Sequence, residues 1–231
     1  TDSAGLDQLD RASGKFTHYR YDPNIPGSLS SDVVTALLSD PAGMLWVGTS
    51  NGLNQFNPTT GSSQGDPQHG GEFIHYRNDP QNTNSLSNNA VNVLFLDHAG
   101  LLWIGTNAGL NRIDRHTGDF TRYRHNLDDP HRLSNDKVVA IEADSSGVLR
   151  VGTPNGLNEM DLQQQKFIQY YNDPRDPNSL SLDNLTALHL DSSGILWIGT
   201  AVGGLNKLDN KTRRFAHYRN DPNDPDSLMN N

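Results

Sequence analysis

The stretch LWVGTSNGLNQF (45–56) recurs three times in the 231-residue chain, as LWIGTNAGLNRI (102–113), LRVGTPNGLNEM (149–160) and LWIGTAVGGLNKL (196–208). The glycine of its Gly-Thr pair falls at 48, 105, 152 and 199, so the steps are 57, 47 and 47 residues. A second block lies between the copies: FTHYRYDP (16–23), FIHYRNDP (73–80), FTRYRHNLDDP (120–130), FIQYYNDP (167–174) and FAHYRNDP (215–222). A third, SLSSDVV, SLSNNAV, RLSNDKV or SLSLDNL, precedes each apolar run. Repetition at this period outranks local propensity, because each copy is one supersecondary unit stacked on the next.

Each period holds four short strand signals. In the second copy they are VNVLFL (91–96), LLWIGT (101–106), LNRID (110–114) and DFTRYR (119–124). They are rich in β-branched, leucine and aromatic residues and bounded by Gly, Asp, Asn and Pro. Asp-x-x-Gly occurs at Asp40–Gly43, Asp97–Gly100, Asp144–Gly147 and Asp191–Gly194. It suits a type I turn, with Asp accepting from the turn backbone and Gly tolerating positive φ. Four strands per period predict an all-β β-propeller of four-stranded antiparallel blades. One such sheet cannot bury both faces alone, so stacking face to face supplies the partners. The anchors expected there are Trp46, Trp103 and Trp197, with the pairs Phe16/Tyr19, Phe73/Tyr76, Phe120/Tyr123, Phe167/Tyr170 and Phe215/Tyr218.

The blades predicted over the single unit 1–231 are a half blade at 1–20 and four complete blades at 32–77, 89–124, 136–171 and 183–219. The opening GLDQLD and FTHYR read as strands three and four of a blade whose first two strands are absent. The expectation is a piece of a longer propeller, or a fragment that completes itself with another copy.

Lys+Arg is 18 against 27 Asp+Glu, a net charge of −9, which argues against nucleic acid as a partner. No apolar run reaches the ~18 residues of a membrane span. The start TDSAGLDQLDRASG lacks the pattern of a signal peptide. Without cysteine there is no disulfide, thiolate zinc site or thiol nucleophile.

The composite V-x-x-L-x-x-D-x-x-G-x-L-W-I-G-T-x-x-G-L-N-x-x-D, followed by F-x-x-Y-R-x-D-P-x-x-P-x-S-L-S, resembles the two-component regulator propeller repeat. The resemblance implies the extracytoplasmic sensor region of a bacterial sensor kinase, a periplasmic or extracellular location, and neighbouring sensor-kinase domains as partners. The family strings together more repeats than these, followed by a β-sandwich module, a membrane span and a kinase.

Asp32, Asn89, Asp136 and Asp183 share one repeat position before strand one, and Asn51, Asn107 and Asn155 lie in the turns between strands two and three. In a ring they would converge on the channel mouth, offering acceptors to sugar hydroxyls or a hard cation. Asx residues at such places also cap backbone amides. The third copy departs from the repeat. Arg150 replaces Trp, Glu142 stands where Leu38 and Phe95 stand elsewhere, and the next copy has His189 there. These three are read either as a polar cluster or as a compensated pair of Arg150 with Glu142. A two-residue turn would put that pair on opposite faces, and a bulge would align them. His18, His75 and His217, equivalent to Arg122 and Gln169, read as an exposed face of the outermost strand rather than a metal site. The insertion TTGSSQGDPQHGGE (59–72) reads as a flexible loop.

No nucleophile elbow, phosphate loop or metal-ligand spacing is present, so the expectation is no catalytic residue, no metal and no cofactor. The function expected is a non-catalytic sensing or interaction propeller that binds a small molecule, a glycan or a neighbouring domain at the channel rim. A lectin-like propeller would repeat one sugar site in every blade. A lyase-type propeller would need a histidine and a metal-binding acid at the channel mouth.

Overall fold

A computed structural model of the chain describes residues 3–57, 71–162 and 165–231. Every regular element in it is a β-strand. A hairpin, β1 (Leu6–Leu9) and β2 (Phe16–Tyr19), comes first. Sheet 1 follows, with β3 (Val34–Ser39), β4 (Leu45–Thr49), β5 (Gly52–Asn57) and β6 (Glu72–Tyr76). Sheet 2 has β7 (Val91–Leu96), β8 (Leu102–Thr106), β9 (Gly109–Ile113) and β10 (Phe120–Tyr123). Sheet 3 has β11 (Ala140–Ala143), β12 (Leu149–Thr153), β13 (Gly156–Asp161) and β14 (Lys166–Tyr170). Sheet 4 has β15 (Leu185–Leu190), β16 (Leu196–Thr200), β17 (Leu205–Asp209) and β18 (Arg214–Tyr218). Each sheet is an antiparallel meander in chain order. The first strands β3, β7, β11 and β15 lie side by side in succession.

The turns form as their residues dictate. Asp40 Oδ1 accepts the amides of Ala42 and Met44, and the Gly43 amide closes on the Asp40 carbonyl. Gly109, at φ 133°, closes the β8–β9 turn; a Cβ there would stand 2.7 Å from the Tyr123 carbonyl oxygen, so only glycine fits.

Alternation within the strands gives every sheet two different faces. In sheet 1 the cross-strand partners Val47, Asn54 and His75 share one face, and Trp46 and Gln55 share the other. Apolar layers then fill the spaces between successive sheets. Tyr19, Leu29, Val47, Phe56 and Phe73 pack between the hairpin and sheet 1. Trp46, Leu94, Ile104 and Phe120 pack between sheets 1 and 2, and Trp103, Ile141, Val151 and Phe167 between sheets 2 and 3. Leu157, Leu185, Ile198 and Phe215 close the layer between sheets 3 and 4. One aromatic contact repeats at each layer: the tyrosine of one sheet meets the phenylalanine of the next edge to face, as Tyr19–Phe73, Tyr76–Phe120, Tyr123–Phe167 and Tyr170–Phe215.

The aromatic anchors are not uniformly buried. Trp46 and Trp103 are fully enclosed, whereas Trp197 is only partly so. Phe16 is 58% exposed, against 5% or less for Phe73, Phe120, Phe167 and Phe215. Phe16 therefore departs from the expectation of a core anchor, because no earlier sheet among the described residues lies against its face. The loop predicted at 59–72 lies outside the described residues up to position 70.

Candidate functional site

A buried polar cluster repeats wherever a crossover meets the next sheet. In sheet 2 the Asn111 amide group accepts from the Ser87 backbone amide at 2.9 Å. Its Nδ2 donates to Ser87 Oγ at 2.8 Å and to the Ile104 carbonyl at 3.2 Å. Ser87 Oγ and Thr106 Oγ1 are 2.8 Å apart, and Thr106 Oγ1 donates to the Gly109 carbonyl. Asn54 with Ser30 and Thr49, and Asn158 with Ser134 and Thr153, reproduce it. Asn206 holds Ser181 in the same way. These asparagines, the Asn of each Gly-Leu-Asn, were not singled out from sequence. The signal was there: a residue of low strand propensity recurring inside a strand in every copy.

The rim residues serve the same crossovers. Asp32, Asn89, Asp136 and Asp183 each accept, through Oδ1, the backbone amide eleven positions earlier, at Tyr21, Asn78, His125 and Asn172. Asn51 and Asn155 donate to the Ser30 and Ser134 carbonyls. Asn107 accepts from the Asn92 side chain, which also donates to the Val138 carbonyl. Each of the seven thus has a local structural partner.

The position of His18, His75 and His217 is a latch rather than an indifferent exposed face. His75 Nε2 donates to the Ser28 carbonyl and His217 Nε2 to the Ser179 carbonyl, each at 2.7 Å. Arg122 and Gln169 donate to the Ser85 and Arg132 carbonyls from the same place. Side chains as different as His, Arg and Gln are accepted because each supplies an N–H donor. His18 instead meets Asp7 at 2.6 Å.

Glu142 and Arg150 are direct cross-strand partners and so share a face; five residues separate Ala143 from its partner Leu149, not two. Their side chains have different partners. Arg150 Nη1 donates to Asp144 Oδ2 at 3.0 Å, the role filled elsewhere by the indoles of Trp46, Trp103 and Trp197 toward Asp40, Asp97 and Asp191. Its Nη2 reaches Glu159 and Asn210, at 3.4 and 3.0 Å. Buried Glu159 also accepts from Arg213 and from the Tyr170 hydroxyl, whose pKa burial and the adjacent Glu159 push up to about 12. The compensating carboxylates of Arg150 are therefore Asp144 and Glu159. Glu142 is half-buried, and that burial raises its pKa against the opposing pull of the Leu190 amide and His189. Glu142 lies with Arg150 on the face of sheet 3 turned toward sheet 4, whereas His189, the cross-strand partner of Trp197, lies on the far face of sheet 4. Among the described residues no three His, Asp or Glu side chains are gathered as a metal-ligand set.

Two segments, residues 28–51 and 85–108, match the family model of the two component regulator propeller. Each joins a crossover Ser-Leu-Ser to its Gly-Thr strand, the span that the Ser–Thr–Asn cluster closes. A search of curated proteins finds no match. Among solved structures the chain is similar to the extracellular domain of the hybrid two component system BT3049 from B. thetaiotaomicron, at 28% identity and a TM-score of 0.69. That match covers 82% of this chain and 25% of the other, so the chain spans about a quarter of its length. Two more distant structures share the fold alone. Virginiamycin B lyase from Staphylococcus aureus has 15% identity and a TM-score of 0.58, over 82% of this chain and 56% of that one. PorZ, a surface component of the type-IX secretion system of Porphyromonas gingivalis, has 19% identity and a TM-score of 0.61, over 88% and 29%. The chain resembles the sensor propellers of two-component regulators.

Proposed function

We propose that the chain is a non-catalytic sensor module of an extracytoplasmic two-component regulator, and that it binds a small polar ligand of glycan type beside Glu142 and His189. The observation that carries this reading is a departure from the repeat at one position of two successive first strands. Leu38 and Phe95 are replaced there by a half-buried carboxyl and an exposed imidazole, on adjacent first strands. A carboxyl and an imidazole supply acceptors and a donor suited to hydroxyl groups. The resemblance to a sensor extracellular domain supports the location and the signalling role. Because each replacement occurs once in the sequence, the two favour one site over the equivalent sites of a lectin-like propeller.

The test is calorimetric titration with a panel of neutral and acidic oligosaccharides, using the wild type, Glu142→Gln and His189→Ala. One saturable event of unit stoichiometry, weakened about tenfold or more in either variant, is expected. Binding unaffected by both variants, several equivalent events per chain, or no binding across the panel overturns the reading. Chemical conversion of a bound sugar, followed by NMR, overturns its non-catalytic part.

A further inference from the structure

The two ends of the sheet array carry the opposite halves of the contact that joins its sheets. On the hairpin, Asp7, Leu9, Phe16 and His18 occupy the face that Asn54, Phe56, Phe73 and His75 occupy in sheet 1. In sheet 1 that face is covered by the preceding tyrosine and crossover; on the hairpin Leu9 and Phe16 are 48% and 58% exposed. At the other end, Trp197, Lys207, Ala216 and Tyr218 occupy the face that packs onto a following sheet elsewhere. Tyr218 is 43% exposed there, and among the described rings it meets only Trp197, tilted at 45°. A hollow of about 820 Å³ opens on this face, lined by Lys207, Ala216 and Tyr218 among others.

We infer that a second copy of this chain docks its hairpin face onto the sheet 4 face of the first, head to tail. Phe16 then meets Tyr218 edge to face, as Phe73 meets Tyr19, Phe120 meets Tyr76, Phe167 meets Tyr123 and Phe215 meets Tyr170. Leu228 takes the place of the buried crossover residues Leu29, Leu86, Leu133 and Leu180. His18 turns its ring to the Ser227 carbonyl, as His75 does to Ser28 and His217 to Ser179.

A pair of matched departures singles out these two ends as partners. At the inner joints an asparagine amide donates to a serine hydroxyl: Asn54 to Ser30, Asn111 to Ser87, Asn158 to Ser134 and Asn206 to Ser181. At the ends the asparagine is Asp7, which has no donor, and the serine is Met229, which has no hydroxyl. Both members of that bond change together. The other bond of the pair survives, because Asp7 can accept the Met229 backbone amide as Asn54 accepts that of Ser30. The contact is heterologous, so repeated docking gives a closed ring or an open chain of copies. This inference is independent of the ligand proposed at Glu142 and His189.

The experiment is native mass spectrometry and light scattering of the 231-residue chain over a concentration series. Wild type is expected to shift from monomer to higher species. Phe16→Asp and Tyr218→Asp each remove one half of the joint, and each alone is expected to weaken association about tenfold or more. Mixed one to one, they are expected to form a heterodimer and stop there, since one intact half remains on each. Both positions are exposed, so melting temperatures should match wild type; if either variant melts early, Phe16→Ser and Ala216→Arg replace the pair. A wild type that stays monomeric throughout, single variants that assemble like wild type, or a mixture that stays monomeric overturns the inference. A monomeric wild type would point to docking of the chain's own ends, and unaffected variants to a symmetric interface elsewhere.

Discussion

Asn111 illustrates how much one side chain holds in place. Its amide is fully buried and joins a crossover serine, a strand carbonyl and a turn carbonyl. Asn111→Ala leaves buried polar groups without partners and is expected to cost about 2 kcal/mol or more in denaturant unfolding. Asp7→Ala, at the equivalent but exposed position, is expected to change stability by less than about 0.5 kcal/mol in the dilute monomer. Arg150 poses a different problem, a guanidinium enclosed between Asp144 and Glu159 with its Nε lacking a partner. Arg150→Trp restores the indole donor to Asp144 but takes one cation from buried Glu159, and is expected to destabilise. Adding Glu159→Gln, the residue sheet 1 has at Gln55, removes that charge. The double variant should recover by about 1–3 kcal/mol relative to the sum of the singles. Additive effects in this cycle would show that the two side chains are not coupled.

At the scale of the sheets, the spacing of sheets 1 and 2 and of sheets 2 and 3 is set by Gly48 and Gly105 of the Gly-Thr pairs. A Cβ on Gly105 would meet Val138 and Val93 at 2.5 and 2.6 Å, so it would force sheets 2 and 3 apart. On Gly199 it would meet only residues of sheet 4 itself, the nearest being Thr186 Oγ1 at 3.2 Å. Gly105→Ala is expected to lose about 1–3 kcal/mol and Gly199→Ala well under that, read from urea melts. Equal losses would mean that strand geometry, not the approach of the next sheet, requires glycine. The same asymmetry appears in the first strands: β7 and β11 have no exposed residue, while half of β3 and half of β15 are exposed.

For the whole molecule, acid should weaken the fold. Burial lowers the pKa of His75 below its ordinary 6.5, although its bond to the Ser28 carbonyl pulls the other way. The unfolded chain therefore binds this proton more readily. The stability from neutral His75 is fully present above about pH 6.5 and declines as pH falls through the folded-state value. Asp40 and Asp144 act in the same direction at lower pH. Burial opposes their ionisation, but it is outweighed by backbone amides, Trp46 and Arg115 around Asp40, and by Ser146, Arg150 and Val148 around Asp144. Their contribution is present above the ordinary carboxylate value of 3.8 and is lost below it. Melting temperatures should fall from pH 7 downward in two stages. His75→Gln, using the side chain that serves the same latch at Gln169, should flatten the upper stage only. An unchanged upper stage would show that His75 does not govern it.

Sequence alone determined the strands, their turns and the repeating sheet, because each depends on local chemistry: period-two apolar residues, Asp-x-x-Gly closure and copies in register. The equivalence of Glu142 and His189 with Leu38 and Phe95 was likewise legible in the repeat, whereas the shared face of Glu142 and Arg150 was not, because it depends on the length of the turn between their strands. Tertiary structure decided the partners. Arg150 pairs with Asp144 and Glu159 rather than Glu142, the histidine position is a latch to a crossover, and Asn54 and its counterparts are buried pins. The latch and the pins require residues more than twenty positions apart to meet in space, and the partners of Arg150 depend on the register of β12 with β13 and on the β11–β12 turn. The unequal burial of Phe16, Trp197 and Tyr218 was hidden for the same reason: equivalent residues in a repeat differ only by what stands on the far side of the sheet.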